Sequence, residues 1–188
     1  PEESAAMSGA DTGNATVDAD GWQTLFDGTD LSAFTQLGDA NWTIEEGGAV
    51  GADAGEGGHL VTNERFDDFE LEVEFFVSVE ANSGVFIRCD DPENITATSC
   101  YEVNIYDTRP DQSYRTGGIV NLAEPAAILY TGGRWNRYEI YANGTSLRAV
   151  LNGVEMYDVE DDTYSDGHIT LQFGSGVVKF RNARVRRL

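Results

Sequence analysis

Hydrophobic and polar residues alternate along most of the chain from Gly21 onward, the pattern of half-buried β-strands. The clearest case is FELEVEFFVSV (69–79), where every second residue from Phe69 to Val79 is apolar and three glutamates lie between them. The same period predicts further strands at SGVFIRC (83–89), YEVNIYD (101–107), RYEIYA (137–142), SLRAVLN (146–152), HITLQF (168–173) and VVKFRNARVRRL (177–188). Helical periodicity is absent, and AEPAAIL (123–129) allows one short turn at most.

Turn signals between these segments favour antiparallel hairpins. Asn143-Gly144 and Asn152-Gly153 supply the positive φ values that two-residue hairpin turns require. Short strands at regular spacing indicate a β-sandwich or barrel, and the absence of an internal repeat argues against a propeller. We therefore predict an all-β fold, a two-sheet antiparallel jelly-roll sandwich of the concanavalin or laminin-G type.

The composition changes sharply near residue 20. Residues 1–20 contain no aromatic residue, no Lys or Arg, and five acidic residues, so they cannot bury enough apolar surface to order themselves. The sequence predicts a flexible acidic tether over 1–20 and a single β-sandwich domain over 21–188. No apolar run reaches the length of a membrane span, so membrane insertion is not expected.

The net charge narrows the class of partner. The chain has 33 acidic and 12 basic residues, a formal net charge of −21. Such a surface repels phosphate backbones, so nucleic acid is not an expected partner.

Two cysteines, Cys89 and Cys100, flank the polar segment DDPENITATS (90–99). A disulfide here would need an oxidising compartment, whereas the alternative is two independent buried thiols. The bridge would indicate an extracytoplasmic protein that is periplasmic, secreted or lipid-anchored through a removed N-terminal signal.

A disulfide also bears on strand register. If Cys89 lay directly opposite Cys100, Arg88 would face Tyr101 rather than Glu102, and Arg88 and Glu102 would diverge. A bulge or a shifted register would reunite them.

The candidate chemistry lies in carboxylates and amides, because nucleophile-elbow, zinc-protease and phosphate-loop motifs are absent. His59 and His168 are each more typical of a surface or strand-end residue than of a catalytic one. Arg88, Glu102, Asn104 and Gln172 occur within strands beside bulky aromatics. Amides and carboxylates bind hydroxyl pairs, so these residues predict a sugar site on one sheet face, although polar residues on an exposed face usually only meet water.

Eight motifs in order resemble the 3-keto-disaccharide hydrolase domain family over essentially Gly21 to Leu188. They are GWQTLFDGTDLSAF, GGHLVTNERFDDFELEVEF, NSGVFIR, YEVNIYD, TGGIVN, GRWNRYEI, LNGVEMYD and GHITLQFGSGVVKFRN. The resemblance implies a concanavalin-like jelly roll and an extracytoplasmic hydrolase acting on glycosides whose sugar carries a ketone at C3. The expected partner is thus a carbohydrate, an oxidised glycoside; a non-catalytic carbohydrate-binding module on the same fold is the alternative.

The resemblance also suggests roles at matching positions. Glu102 or Asp107 would serve as general base or as ligand of a possible divalent cation, and Arg88 would hold the oxyanion. The residues expected to orient the sugar are Asn82, Asn104, Trp135, Asn136 and Gln172.

The chain departs from the family pattern at three positions. Gly174 stands where histidine is usual, Asn104 where glutamine is usual, and Cys100 where glycine is usual. If that histidine contributes to catalysis or metal binding, loss of turnover is one expectation, and replacement by His168 or a carboxylate is the other.

Overall fold

The computed structural model describes residues 17–188; the predicted tether lies outside them except for residues 17–20. The described residues form thirteen strands and one 3-10 turn, Gln112–Tyr114, with no α-helix. The strands are β1 (Trp22–Phe26), β2 (Phe34–Gly38), β3 (Thr43–Ile44), β4 (Val50–Ala52), β5 (Gly58–Thr62), β6 (Phe69–Val77), β7 (Asn82–Cys89), β8 (Tyr101–Ile105), β9 (Trp135–Asn143), β10 (Ser146–Leu151), β11 (Val154–Glu160), β12 (His168–Ser175) and β13 (Val178–Arg187).

The strands form two antiparallel sheets. The large sheet has the order β11-β10-β9-β6-β13-β4-β3, with β1 also paired to β13, and the small sheet has the order β2-β5-β12-β7-β8. The predicted all-β, two-sheet sandwich is confirmed. None of the described residues belongs to a helix long and apolar enough to cross a membrane.

The core lies between the sheets and follows the predicted alternation. Leu71, Val73 and Phe75 of β6 are fully buried, whereas the glutamates between them point away from the core. The strand ends at Val77, two residues before the predicted end, and Val79 is 61% exposed because it belongs to the following turn.

The outer face of the large sheet carries rows of ion pairs between β6 and β13. Arg181 pairs with Glu74 and Arg184 with Glu72, each at 2.6 Å, and Arg186 pairs with Glu70. Since exposed pairs contribute little individually, their main effect is on register: a one-residue slip would turn these glutamates into the core.

The two predicted hairpin turns differ. Asn152 and Gly153 both have positive φ, 52° and 81°, as expected. In the other turn Gly144 has φ 57°, but Asn143 is the last residue of β9 and pairs with Ser146. The turn residues there are Gly144 and Thr145.

The Cys89–Cys100 disulfide is present, with Cα atoms 4.7 Å apart. It does not impose direct pairing of the two cysteines. Ile87 pairs with Tyr101, which places Phe86 rather than Ile87 opposite Glu102. On the other side of β7 a register shift lies between the Phe86–Thr170 and Cys89–His168 pairs, so β7 has one extra residue there.

Candidate functional site

A row of four residues crosses the outer face of the small sheet. His59 of β5 pairs with Gln172 of β12, which pairs with Gly84 of β7, which in turn pairs with Asn104 of β8. Cross-strand partners share a face, and Glu102 lies two residues from Asn104 on that same face. The strand pairing therefore brings Glu102, Asn104 and Gln172 to one face of the small sheet.

The centre of this face is Gly84, and we call the position above it, bordered by Phe86, Gln172 and Glu102, the hollow. A Cβ atom added to Gly84 would lie 3.3 Å from the Phe86 Cε2 atom and 3.4 Å from both the Gln172 Oε1 and the Glu102 Cγ atoms. These three side chains therefore converge above a residue that has no side chain of its own.

Glu102 is partly buried at the edge of the hollow, and this changes its acidity. Burial raises the pKa of Glu102 to about 7, and the positive charge of Arg109 opposes that rise. A carboxyl group with such a pKa can both take and return a proton near neutral pH.

Three buried polar atoms around the hollow have no hydrogen-bond partner: the Asn104 Oδ1, the Gln172 Oε1 and the Arg109 Nε. Asn104 is fixed, because its Nδ2 donates to the Tyr114 carbonyl oxygen at 2.5 Å. Unsatisfied buried polar atoms are rare and costly. Two acceptors and one donor near Glu102 thus have no hydrogen-bond partner among residues 17–188.

His59 lies beyond Gln172 and is half-buried rather than on the open surface. Its Nδ1 is 3.1 Å from the Thr170 Oγ1, and its ring packs edge-on against Phe86. Burial lowers the pKa of His59 to about 4, so the ring is neutral at physiological pH.

Next to the hollow is a groove of about 380 Å³, which we call the side groove. Its floor and walls come from β2, β5, β12, the turn before β5 and the disulfide loop. The residues lining it are Leu37, Gly38, Glu56, Gly57, Gly58, His59, Glu93, Asn94, Ile95, Gln172, Phe173 and Gly174.

Arg88 is not brought to Glu102. It has φ 56° at the bulge in β7 and only 1% of its surface is exposed. Its guanidinium donates to the carbonyl oxygens of Asp67, Gly144 and Tyr164 and pairs with Asp68 at 3.2 Å. The bulge and the shifted register both occur, but they turn Arg88 toward these loops instead of toward Glu102. The expected oxyanion role for Arg88 is therefore replaced by a structural one.

Asp107 is likewise enclosed by its own contacts. Its carboxylate accepts hydrogen bonds from the Thr116 hydroxyl at 2.5 Å and from the Thr131 and Gly132 backbone N–H groups at 2.6 and 3.2 Å. Asp107 is 7% exposed and joins two loops. These contacts place it outside the hollow, as a residue that supports the loop beside β8.

Asn136 and Trp135 also lie elsewhere. Asn136 is buried and donates to the Thr131 and Arg134 carbonyl oxygens. Trp135 is on the large sheet, where the Arg181 guanidinium stacks on its ring at 3.9 Å. Neither contacts the hollow.

Asn82 lies at the start of β7 beside Gly174. A Cβ atom on Gly174 would be 2.7 Å from the Asn82 carbonyl oxygen and 2.9 Å from its Nδ2. Gly174 lies at a register shift between β12 and β7, and the close approach of Asn82 leaves no room there for a side chain. His168 does not take over there, because its Nδ1 contacts the Thr62 carbonyl oxygen at 2.7 Å.

The sequence did not identify Arg109, Gly84 or His59 as site residues. Arg109 follows the strand in an irregular loop, whose path has no periodicity to predict it. Gly84 contributes by lacking a side chain. His59 could have been found from alternation, since it is polar in GHLVT beside buried Leu60.

No three His, Cys, Asp or Glu side chains within residues 17–188 are close enough to hold a metal ion together. The groups around Glu102 are its own carboxylate, the amides of Asn104 and Gln172, and the Arg109 guanidinium.

Comparison with known proteins identifies the family. A model described as a 3-keto-alpha-glucoside-1,2-lyase-like domain matches residues 21–186. The chain belongs to this family. A curated relative, the 3-keto-disaccharide hydrolase of Bacteroides thetaiotaomicron, is 42% identical over 81 residues, which are 37% of this chain and 28% of that protein. The chain thus matches under a third of the length of that relative.

Solved structures agree on the fold. Two candidate glycosyl hydrolases from Parabacteroides distasonis superpose on the family domain with TM-scores of 0.79 and 0.73. They are 15% and 24% identical and cover 90% and 89% of this chain and 95% and 99% of their own. A carbohydrate-binding module from Bacillus subtilis has a TM-score of 0.63 at 15% identity, covering 92% of this chain and 97% of its own.

Proposed function

We propose that this domain cleaves glycosides whose sugar ring carries a ketone at C3, with Glu102 as the general base. The observation that carries the proposal is the hollow itself. It combines a carboxyl group of pKa about 7 with buried, unpartnered polar atoms on Asn104, Gln172 and Arg109. Membership of the 3-keto-alpha-glucoside-1,2-lyase-like family supports this substrate class.

The chemistry needs only one base. A C3 ketone acidifies the C2 proton, which Glu102 removes to give an enolate at C2, C3 and the ketone oxygen. The enolate electrons then form a C1–C2 double bond as the C1–O bond breaks, and the departing oxygen takes up the proton from Glu102. Water adds its oxygen to C1 while C2 regains a proton through Glu102, so the net reaction is hydrolysis.

Arg109 takes the role that the sequence assigned to Arg88. Its charge acts on Glu102, and its buried Nε lacks a partner. A cation here stabilises the enolate oxygen, and the free Asn104 and Gln172 oxygens accept from sugar hydroxyls. The other residues expected at the site contact backbone groups instead: Arg88, Asp107 and Asn136 each hydrogen-bond to the backbone of neighbouring loops. Trp135 lies on the large sheet.

We assign no step to a divalent cation, because the ligand groups around Glu102 do not make a metal site among the described residues. A cation-dependent route predicts loss of turnover on chelation. The route through Glu102 and Arg109 predicts an unchanged rate in EDTA.

The disulfide favours an extracytoplasmic location for this function, because reducing compartments do not maintain such bridges. An oxidised glycoside outside the cytoplasm would then meet the site directly.

The second candidate function is a non-catalytic carbohydrate-binding module. It is favoured by Gly174, where the family usually has histidine and where the contact with Asn82 leaves no room for one. The hollow would then bind sugar without turnover.

Incubation with a 3-keto-disaccharide separates the two functions. We expect the native protein to release the 3-keto monosaccharide and Glu102→Gln to lower kcat by about 10²–10⁴-fold. Equal rates for the two proteins would overturn the role of Glu102. Binding by both proteins with no product from either would favour the module.

A further inference from the structure

The side groove and the hollow meet at Gln172. The Gln172 side chain lines the side groove, and its Oε1 also borders the hollow above Gly84. Neighbouring strands are about 4.8 Å apart, and Glu102 and His59 are on strands separated by β7 and β12. The hollow and the side groove therefore adjoin at Gln172, and the row from Glu102 to His59 covers three strand spacings, about 14 Å. At about 380 Å³ the side groove is itself within the range of small-molecule pockets.

One wall of the side groove is fixed in place. Glu93, Asn94 and Ile95 belong to the loop that the Cys89–Cys100 disulfide closes. Ile95 packs on a small cluster made by Phe86 and the two cysteines. The Ser99 hydroxyl donates to the Asn94 carbonyl oxygen at 2.6 Å, which holds the middle of the loop to its end. The wall is thus preformed for a ligand.

The charge of the side groove has one sign. Glu56, in the turn before β5, and Glu93, in the disulfide loop, are exposed acidic residues, and no Lys or Arg is among the described residues that line it. His59 does not offset them, because burial keeps its imidazole neutral. Leu37 and Ile95 are half-buried and offer apolar surface to the face of a ring. An anionic group entering here would meet two like charges with no counter-charge.

We propose that the side groove holds the leaving half of the glycoside and accepts uncharged sugar units in preference to anionic ones. This rests on the proposed cleavage at Glu102, which puts the oxidised ring in the hollow and the leaving ring beyond Gln172. Specificity for the leaving group then comes from Glu56 and Glu93 on the walls and from the loop that the disulfide closes.

Two substrates with the same oxidised ring and the same linkage test the preference. One is 3-keto-glucosyl-glucose and the other is 3-keto-glucosyl-glucuronate, so only the leaving half differs in charge. We expect kcat/KM to be about tenfold higher for the neutral substrate at low ionic strength. The difference should shrink in salt, because exposed charges are screened.

The double variant Glu56→Gln/Glu93→Gln removes both wall charges. We expect it to raise kcat/KM for the glucuronate substrate relative to the neutral one, so that the ratio of the two falls from about ten to about one. The matched control is Glu46→Gln/Glu124→Gln, which changes the net charge equally at exposed positions that do not line the groove. The control should keep the tenfold preference. Equal preference in both double variants would overturn the proposal.

A binding measurement separates this proposal from the cleavage it rests on. The NMR signals of the His59 imidazole report occupation of the side groove whether or not turnover occurs, and a His168→Gln variant assigns them. Methyl glucoside should shift them at lower concentration than methyl glucuronide. If both substrates were cleaved at equal rates, and both methyl glycosides shifted the His59 signals at the same concentration, the assignment of the side groove would be overturned while the proposed cleavage would stand. No turnover of either substrate would overturn the cleavage, and the His59 shifts would still decide the ligand preference.

Discussion

Glu102 and Gln172 belong to strands that are not neighbours, yet both side chains reach the same point, 3.4 Å from where a Gly84 Cβ would lie. Phe86 approaches that point to 3.3 Å, so any side chain added at position 84 would press on the proposed base and its neighbours. This relationship gives a direct test of the site that leaves the base itself intact.

Substitution at Gly84 should block the hollow in proportion to side-chain size. Gly84→Ala adds one atom in tight contact with Phe86, Gln172 and Glu102 and should lower kcat/KM modestly. Gly84→Val, whose branches must displace these side chains, should lower it by about 10²-fold. Valine is favourable in strands, but crowding against buried Phe86 should lower the free energy of unfolding by about 1–3 kcal/mol. Urea denaturation beside initial-rate kinetics measures both; normal activity in the valine variant would mean that the ligand binds elsewhere.

Catalysis should depend on ionised Glu102. With a pKa of about 7, kcat/KM should rise tenfold per pH unit below that value and level off above it. A pH profile of initial rates from 5 to 9 measures this. A flat profile from pH 5 to 7 would contradict assignment of Glu102 as the base.

The same raised pKa has a consequence for stability. The native state holds the Glu102 proton more tightly than the unfolded chain, so this residue's contribution falls as pH rises from about 4.5 to about 7. The deficit above pH 7 is on the order of 3 kcal/mol. Glu102→Gln should therefore unfold at higher urea concentration than the native protein at pH 8 but not at pH 4.5. Because the other carboxylates are the same in both proteins, their effects cancel in the comparison. Equal urea midpoints at pH 8 would show that burial does not destabilise the ionised form of Glu102.

Replacing Arg88 should damage the fold rather than the chemistry. Arg88→Met leaves the buried carbonyl oxygens of Asp67, Gly144 and Tyr164 without their donor, which should cost on the order of 3 kcal/mol or more. Tm should fall by about 10 °C. Arg88→Lys should recover little, because an ammonium group cannot reach all of these acceptors in the planar geometry of a guanidinium. Below the transition, kcat should stay within about twofold of the native value, whereas Arg109→Met should lower kcat with little change in Tm.

Opening the disulfide should affect substrate binding more than the chemical step. Cys89→Ser/Cys100→Ser should lower stability by about 2–3 kcal/mol through the greater freedom of the unfolded chain. It should also raise KM, because Glu93, Asn94 and Ile95 lose a fixed position, while kcat changes little. Calorimetry and steady-state kinetics measure the two effects, and an unchanged KM would indicate that the loop contributes nothing to the side groove.

The sandwich could be predicted from the sequence because the alternation of apolar and polar residues is a local signal that recurs in one strand after another. In β6 the alternation of Leu71, Val73 and Phe75 with glutamates fixes both the strand and its buried face. The same logic placed Glu102 and Asn104 on one strand face, whereas the position of Gln172 beside them follows from the pairing of β12 with β7, which alternation does not predict.

Two of the expected site residues lie away from Glu102 because of irregular backbone, whereas Trp135 and Asn136 do so because β9 belongs to the other sheet. Arg88 points away from the face expected of it because one extra residue in β7 and a positive φ turn it inward. Asp107 and Arg109 are two residues apart in a loop, one enclosed and one beside Glu102. Periodicity carries no information about which way such residues point.

The rows of arginine–glutamate pairs on the large sheet affect which parts of this domain tolerate substitution. They fasten one side of the sandwich through contacts that share no residue with Glu102, Gln172 or the disulfide loop. Substitutions on the opposite side can therefore accumulate while the scaffold stays as it is, a division of labour between the half that maintains the architecture and the half that is free to change.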